Sequence, residues 1–135
     1  GPIDGNMARH LRRVGDGVAA FAADLGPRFD RVMVLLMSEF GRTVRQNGNA
    51  GTDHGHGGVM LAIGGMVEGG RVFGRWTGLD PRHLYQQRDL PVHTDFRTLF
   101  AHTLDHLFGF DGVREGLFPQ FTPTNPPLDF LRRVT

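Results

Sequence analysis

Residues 7–25 place Met7, Leu11, Val14, Val18, Phe21, Ala22 and Leu25 three and four positions apart. That spacing predicts an amphipathic helix with one packed face, stopped by Gly26-Pro27. The pattern then changes. Arg31 to Met37 reads RVMVLLM, an unbroken apolar run that predicts a strand buried on both faces of a parallel sheet. Ser38 to Gly58 has no periodicity and is rich in Gly, Asn, Thr and Asp, which predicts a long ordered loop leaving the carboxyl end of that strand. Loops in that position build active sites in open α/β sheets.

Val59 to Ile63 is a second apolar run ended by Gly64-Gly65, and Arg71 to Phe73 reads as a further short strand that would pair with it as a hairpin. Leu79-Asp80-Pro81 predicts a turn or helix start. From Thr94 the helical period returns, with Thr94 or Asp95 as amino-terminal cap and Phe96, Leu99, Phe100, Thr103, Leu104 and Leu107 as the apolar stripe, ending near Gly109. Residues 117–127 hold four of the eight prolines, so 117–135 is expected to be an extended Pro-rich tail, with Phe118 and Phe121 fastening it to the body and a short segment at 128–133. The whole, residues 1–135, reads as one α/β domain.

Composition narrows the partners. Net charge is +1, and no basic cluster exceeds the pairs Arg12-Arg13 and Arg132-Arg133, so the footprint of a nucleic-acid binder is missing. No apolar run approaches the roughly 18 residues of a membrane span. The chain has no cysteine, so any metal must take nitrogen and oxygen ligands. Gly1-Pro2 has the form of a protease scar, and the natural amino terminus is expected to lie elsewhere.

The densest set of potential ligands is Thr52-Asp53-His54-Gly55-His56-Gly57-Gly58. A carboxylate and two imidazoles sit among glycines that let the backbone bend tightly, a donor set suited to Zn, Mn or Fe. The plain alternative is that Asp53 caps a turn and both histidines face solvent. Glu39 and Arg42 flank Gly41 at the end of the first strand. Arg42 could grip an anionic substrate oxygen and Glu39 could orient it, or the two could form an ion pair that pins the loop. His102 and His106, four apart, fall on one helix face; Thr103 stands where a zincin has its general-base Glu, so a solvated face is expected there. Trp76, Phe73 and Tyr85 could form a substrate-facing aromatic wall, and core or subunit packing is the favoured reading.

Met37-Ser38-Glu39-Phe40-Gly41-Arg42-Thr43, Asn47-Gly48 and Thr52-Asp53-His54-Gly55-His56-Gly57 together resemble the signature of the bacterial family labelled domain of unknown function 1501, a sulfatase-like branch of the alkaline phosphatase superfamily. The likeness continues through Gly69-Gly70-Arg71-Val72-Phe73-Gly74, Arg88-Asp89-Leu90 and Thr94-Asp95-Phe96-Arg97. It implies a partial alkaline-phosphatase-like sheet with flanking helices and a Gly-rich loop. It implies, too, a metal-dependent hydrolase of phosphate or sulfate esters, with Asp53 and His54 as ligands to one divalent ion (Zn or Mn) of a two-metal centre and His56 and Thr52 near the substrate.

That superfamily often closes its second metal site with a later histidine, which makes His93 a candidate, although relatives tend to carry a small hydroxyl residue there and a surface histidine is the favoured reading. An upstream Gly-Phe-Asp-Thr-His type motif and a nucleophile have no counterpart before residue 7. The chain is therefore expected to be the carboxy-terminal portion of a larger protein, inactive alone, whose parent the resemblance puts in an exported or periplasmic location. Two other readings stand beside it: a non-catalytic module binding anions or a partner, and self-association or strand swapping through an apolar sheet edge and face that truncation would expose.

Overall fold

The computed structural model describes residues 3–109, 116–122 and 128–132. It combines two α-helices with two small antiparallel sheets, in the order α1 (Asn6–Leu25), a 3-10 turn (Gly26–Arg31), β1 (Val34–Leu36), β2 (Gly41–Arg42), β3 (His54–Gly55), β4 (Leu61–Ile63), a second 3-10 turn (Pro81–His83) and α2 (Phe96–Phe108). The mixed helix and strand content agrees with the α/β expectation.

The strand pairing departs from it. β1 runs antiparallel to β4, with Val34 opposite Ile63 and Leu36 opposite Leu61. The expected parallel, doubly buried strand is thus a half-buried antiparallel one. Once Leu61–Ile63 supplies a matching apolar run that folds back on β1, no crossover is needed. Residues 71–73 form no strand, and the hairpin expected between them and 59–63 gives way to the β1–β4 pair. Val72 is fully exposed, which shows that a short apolar run without a ladder partner has nothing to hold it extended.

Helix α1 has the predicted length and stops at Gly26, whose φ of 51° suits a glycine. Its expected packed face is only partly covered, with Val18, Ala22 and Leu25 half-buried. No residue of α1 is buried, and Met7, Leu11, Val14 and Phe21 are exposed.

Helix α2 is better seated. The Asp95 side chain accepts from Arg97 N, and Gly109 closes the carboxyl end in the left-handed region. Its buried residues are Thr98, Ala101 and, from the predicted stripe, Thr103, while Leu99, Phe100, Leu104 and Leu107 are half-buried and Phe96 is exposed. Thr103 can be buried because its hydroxyl donates to Leu99 O at 2.8 Å. His102 and His106 do not form the solvated face expected of them. Both are half-buried, and His102 Nδ1 and His106 Nε2 are enclosed with no hydrogen-bond partner.

Among the described residues the buried apolar side chains are Val67, Leu84, Ala101, Phe121 and Phe130. Phe130 is 2% exposed and meets Phe73 edge-on at 6.3 Å between ring centroids. Its segment is fastened by Glu68 N donating to Phe130 O and Arg132 N to Met66 O. Phe121 is buried beneath the Arg97 guanidinium, 4.4 Å from the ring centroid, and meets Phe118 edge-on, as expected for the start of the tail. Pro123, Pro126, Pro127 and Arg133 lie outside the described residues.

Candidate functional site

The Gly-rich stretch after β1 forms a braced frame. β2 and β3 pair antiparallel, with Gly41 opposite Gly55 and Arg42 opposite His54. Thr43 N donates to Asp53 O at 3.0 Å, and Asp53 N donates to Thr43 Oγ1 at 3.2 Å. On the far side, Val44 N reaches Arg88 O and Gly57 N reaches Leu90 O at 2.7 Å. The glycines make this possible. A Cβ on Gly41 would fall inside the Gly57 carbonyl, and one on Gly57 would lie 2.6 Å from Leu90 O.

The connection between the two strands is tied by Asn47. Its Oδ1 accepts from Asn49 N and Gly51 N, both at 3.0 Å, and its Nδ2 donates to Asp53 Oδ1 at 2.8 Å. Arg42 and Glu39 form no ion pair. Arg42 Nη1 instead donates to Thr52 O at 3.1 Å, so the arginine clasps its own loop, and Glu39 stays exposed. Thr52 is half-buried and enters the frame through that carbonyl.

The three ring and carboxylate candidates take separate partners. Asp53 is exposed and engaged by Asn47, while exposed His54 stacks on Phe40 with centroids 3.8 Å apart. His56 stacks on Tyr85 at 4.0 Å. His93 is remote in its bonding, exposed and 3.3 Å from Thr77 Oγ1. Among the described residues, no three or more His, Asp or Glu side chains gather to hold a metal ion. The donors among the described residues do not by themselves fit a complete Zn centre, which needs three or four protein ligands.

Sequence reasoning passed over Asp89. Its side chain is almost fully enclosed, and its backbone bridges to both Thr43 and Tyr85. Arg88 Nε and Nη2 donate to its two oxygens at 2.8 and 3.2 Å. The Arg88 hydrogen bonds hold the Asp89 carboxyl below its usual range; burial opposes this, and the His56 backbone N–H adds to it. The adjacent Arg-Asp pair was visible in sequence. That it reaches under the His56 segment was not, since only the fold brings residue 89 beside residue 56.

Neither the curated proteins nor the solved structures contain a match to this sequence. The family model described as Protein of unknown function (DUF1501) matches residues 1–117, and the chain belongs to that family.

Proposed function

We propose that this chain is the carboxy-terminal portion of a metal-dependent phosphate or sulfate ester hydrolase of sulfatase-like ancestry. In this reading it contributes two donors, Asp53 and His54, to a divalent metal site and is inactive alone. The observation that carries the reading is the brace around the 52–57 loop. Backbone hydrogen bonds on both sides and glycine contacts that exclude any Cβ fix the frame on which exposed Asp53, His54 and His56 stand. Such rigidity is what a site needs in order to aim ligands, and it exceeds what a solvent-facing connection needs. In this reading Arg42, exposed and bonded to Thr52 O, would meet an anionic ester oxygen. No reaction step is assigned to these residues, because the remaining ligands and the nucleophile are not among them.

A second reading has its own support. Asp53 Oδ1 already accepts from Asn47, as a carboxylate with a structural role does, and this favours a non-catalytic anion- or partner-binding module. Titration of Zn or Mn into the purified chain, with Asp53→Ala and His54→Ala beside it, separates the two. The hydrolase-derived reading expects weak binding that both variants abolish and no turnover of aryl phosphates or sulfates. Binding that ignores both substitutions, or none at all, leaves the module reading in its place.

A further inference from the structure

Helix α1 carries an apolar seam that the chain itself covers only in part: Val18 and Leu25 are half-buried, and Met7, Leu11, Val14 and Phe21 are exposed. Met7, Leu11, Val14, Val18, Phe21 and Leu25 alternate four and three residues apart without a break, the spacing of a coiled-coil seam. Yet α1 buries none of its residues.

Two glycines inside the helix point to a close neighbour. Gly15 and Gly17 fall on opposite edges of the seam, and each is among the poorest residues for a helix interior. Among the described residues nothing lies within 4 Å of where a Cβ would stand on either, so no contact there calls for glycine. A missing side chain is useful where a second backbone must approach. Gly17 also borders an apolar groove of ≈ 480 Å³, shared with Val14, Val18 and Phe21 on the helix and with Val32 and Val34 across from it.

Charge selects the neighbour and its direction. Arg9, Arg12 and Arg13 lie in the amino-terminal half of α1, Asp16 and Asp24 in the carboxyl-terminal half. That order is the reverse of what the helix dipole favours, and the first turn has no acidic residue and the last no basic one. An antiparallel helix of the same sequence sets each basic half beside an acidic one, with Asp24 of one copy on the flank that carries His10 and Arg13 of the other. A parallel copy would place like charges side by side.

We propose that α1 is a self-association element: two copies of this chain pair through antiparallel α1 helices, each helix entering the other's groove. The inference rests on α1 and the groove beside it, and stands or falls separately from the metal reading of the 52–57 loop.

Sedimentation of the full chain tests it, with a concentration-dependent dimer expected. Leu11→Glu and Val14→Glu should return the mass of a single chain with unchanged helix content by circular dichroism, since neither site is buried. Gly17→Ala, although a better helix former, should weaken the dimer about tenfold or more, the scale of one extra methyl in a packed contact. The absence of natural cysteine allows direction to be read directly. Mixed Met7→Cys and Leu25→Cys chains should cross-link to each other, and Met7→Cys chains should not link among themselves. A single-chain mass at every concentration, 7-to-7 links in preference to 7-to-25, or a Gly17→Ala dimer as tight as the original would each overturn the proposal. Should the glutamate variants lose helix content, the cysteine pairs decide.

Discussion

Glycine does opposite things in α1 and in the loop frame at 41–57. In α1, Gly15 and Gly17 stand in open space and weaken a helix that packs on little else. In the frame, Gly41, Gly55 and Gly57 are the points where backbone crosses backbone, and no other residue fits. The part of the chain with the clearest secondary-structure signal is therefore its least supported element, and the part with no periodicity is cross-braced on both sides. Periodicity reports which face could be buried. Only the available partners decide whether it is.

The largest effect that would test this contrast is Gly41→Ala, which should cost about 3 kcal/mol or more because the new methyl cannot avoid the Gly57 carbonyl. A denaturant midpoint close to the parent's would mean that the frame gives way easily, and the contrast would collapse. Asn47→Ala comes next. It removes an acceptor from two backbone N–H groups and a donor from Asp53, and a loss of about 1–2 kcal/mol is expected in the same measurement. Gly15→Ala should act in the other direction, raising helix stability by up to about 1 kcal/mol at concentrations where the chain is single, as read from the thermal loss of helical circular dichroism. Destabilisation there would show that α1 has a close neighbour within its own chain.

The mildest test uses acid. The Asp89 carboxyl is held below its ordinary value in the folded state, so its contribution is complete above the unfolded aspartate pKa and fades as pH falls through the folded one. Amide exchange at Thr43 and Gly57 should therefore quicken as pH falls below that of an ordinary aspartate, after correction for intrinsic rates. Asp89→Asn should remove that dependence; an acid response that survives it would move the cause elsewhere.

Much of the local structure was legible before any coordinates. The Gly26-Pro27 stop, the Asp95 cap and the Gly109 end each follow from one residue's conformational preference, and each stands where expected. Tertiary choices were not legible. Whether the 31–37 run would pair in parallel or antiparallel depended on Leu61–Ile63, and the fate of 71–73 depended on that same strand being taken. His102 and His106 were misjudged for a related reason: a polar residue beside an apolar stripe can be enclosed by what packs over it, and spacing on one helix says nothing of that cover. For the site, the sequence located the 52–57 loop and its donors but not the partners they take, Phe40, Tyr85 and Asn47, nor the enclosed Asp89 below.

The fastening of Phe130 over residues 66–68 has a consequence for how the molecule is made. During synthesis the 66–68 segment leaves the ribosome long before its partner, and until residues 130–132 follow, Phe73 lacks its ring neighbour and the backbone groups of Met66 and Glu68 lack theirs. In that interval the nascent protein shows an unpaired ring and an unpaired stretch of backbone, the kind of surface through which incomplete chains misassemble.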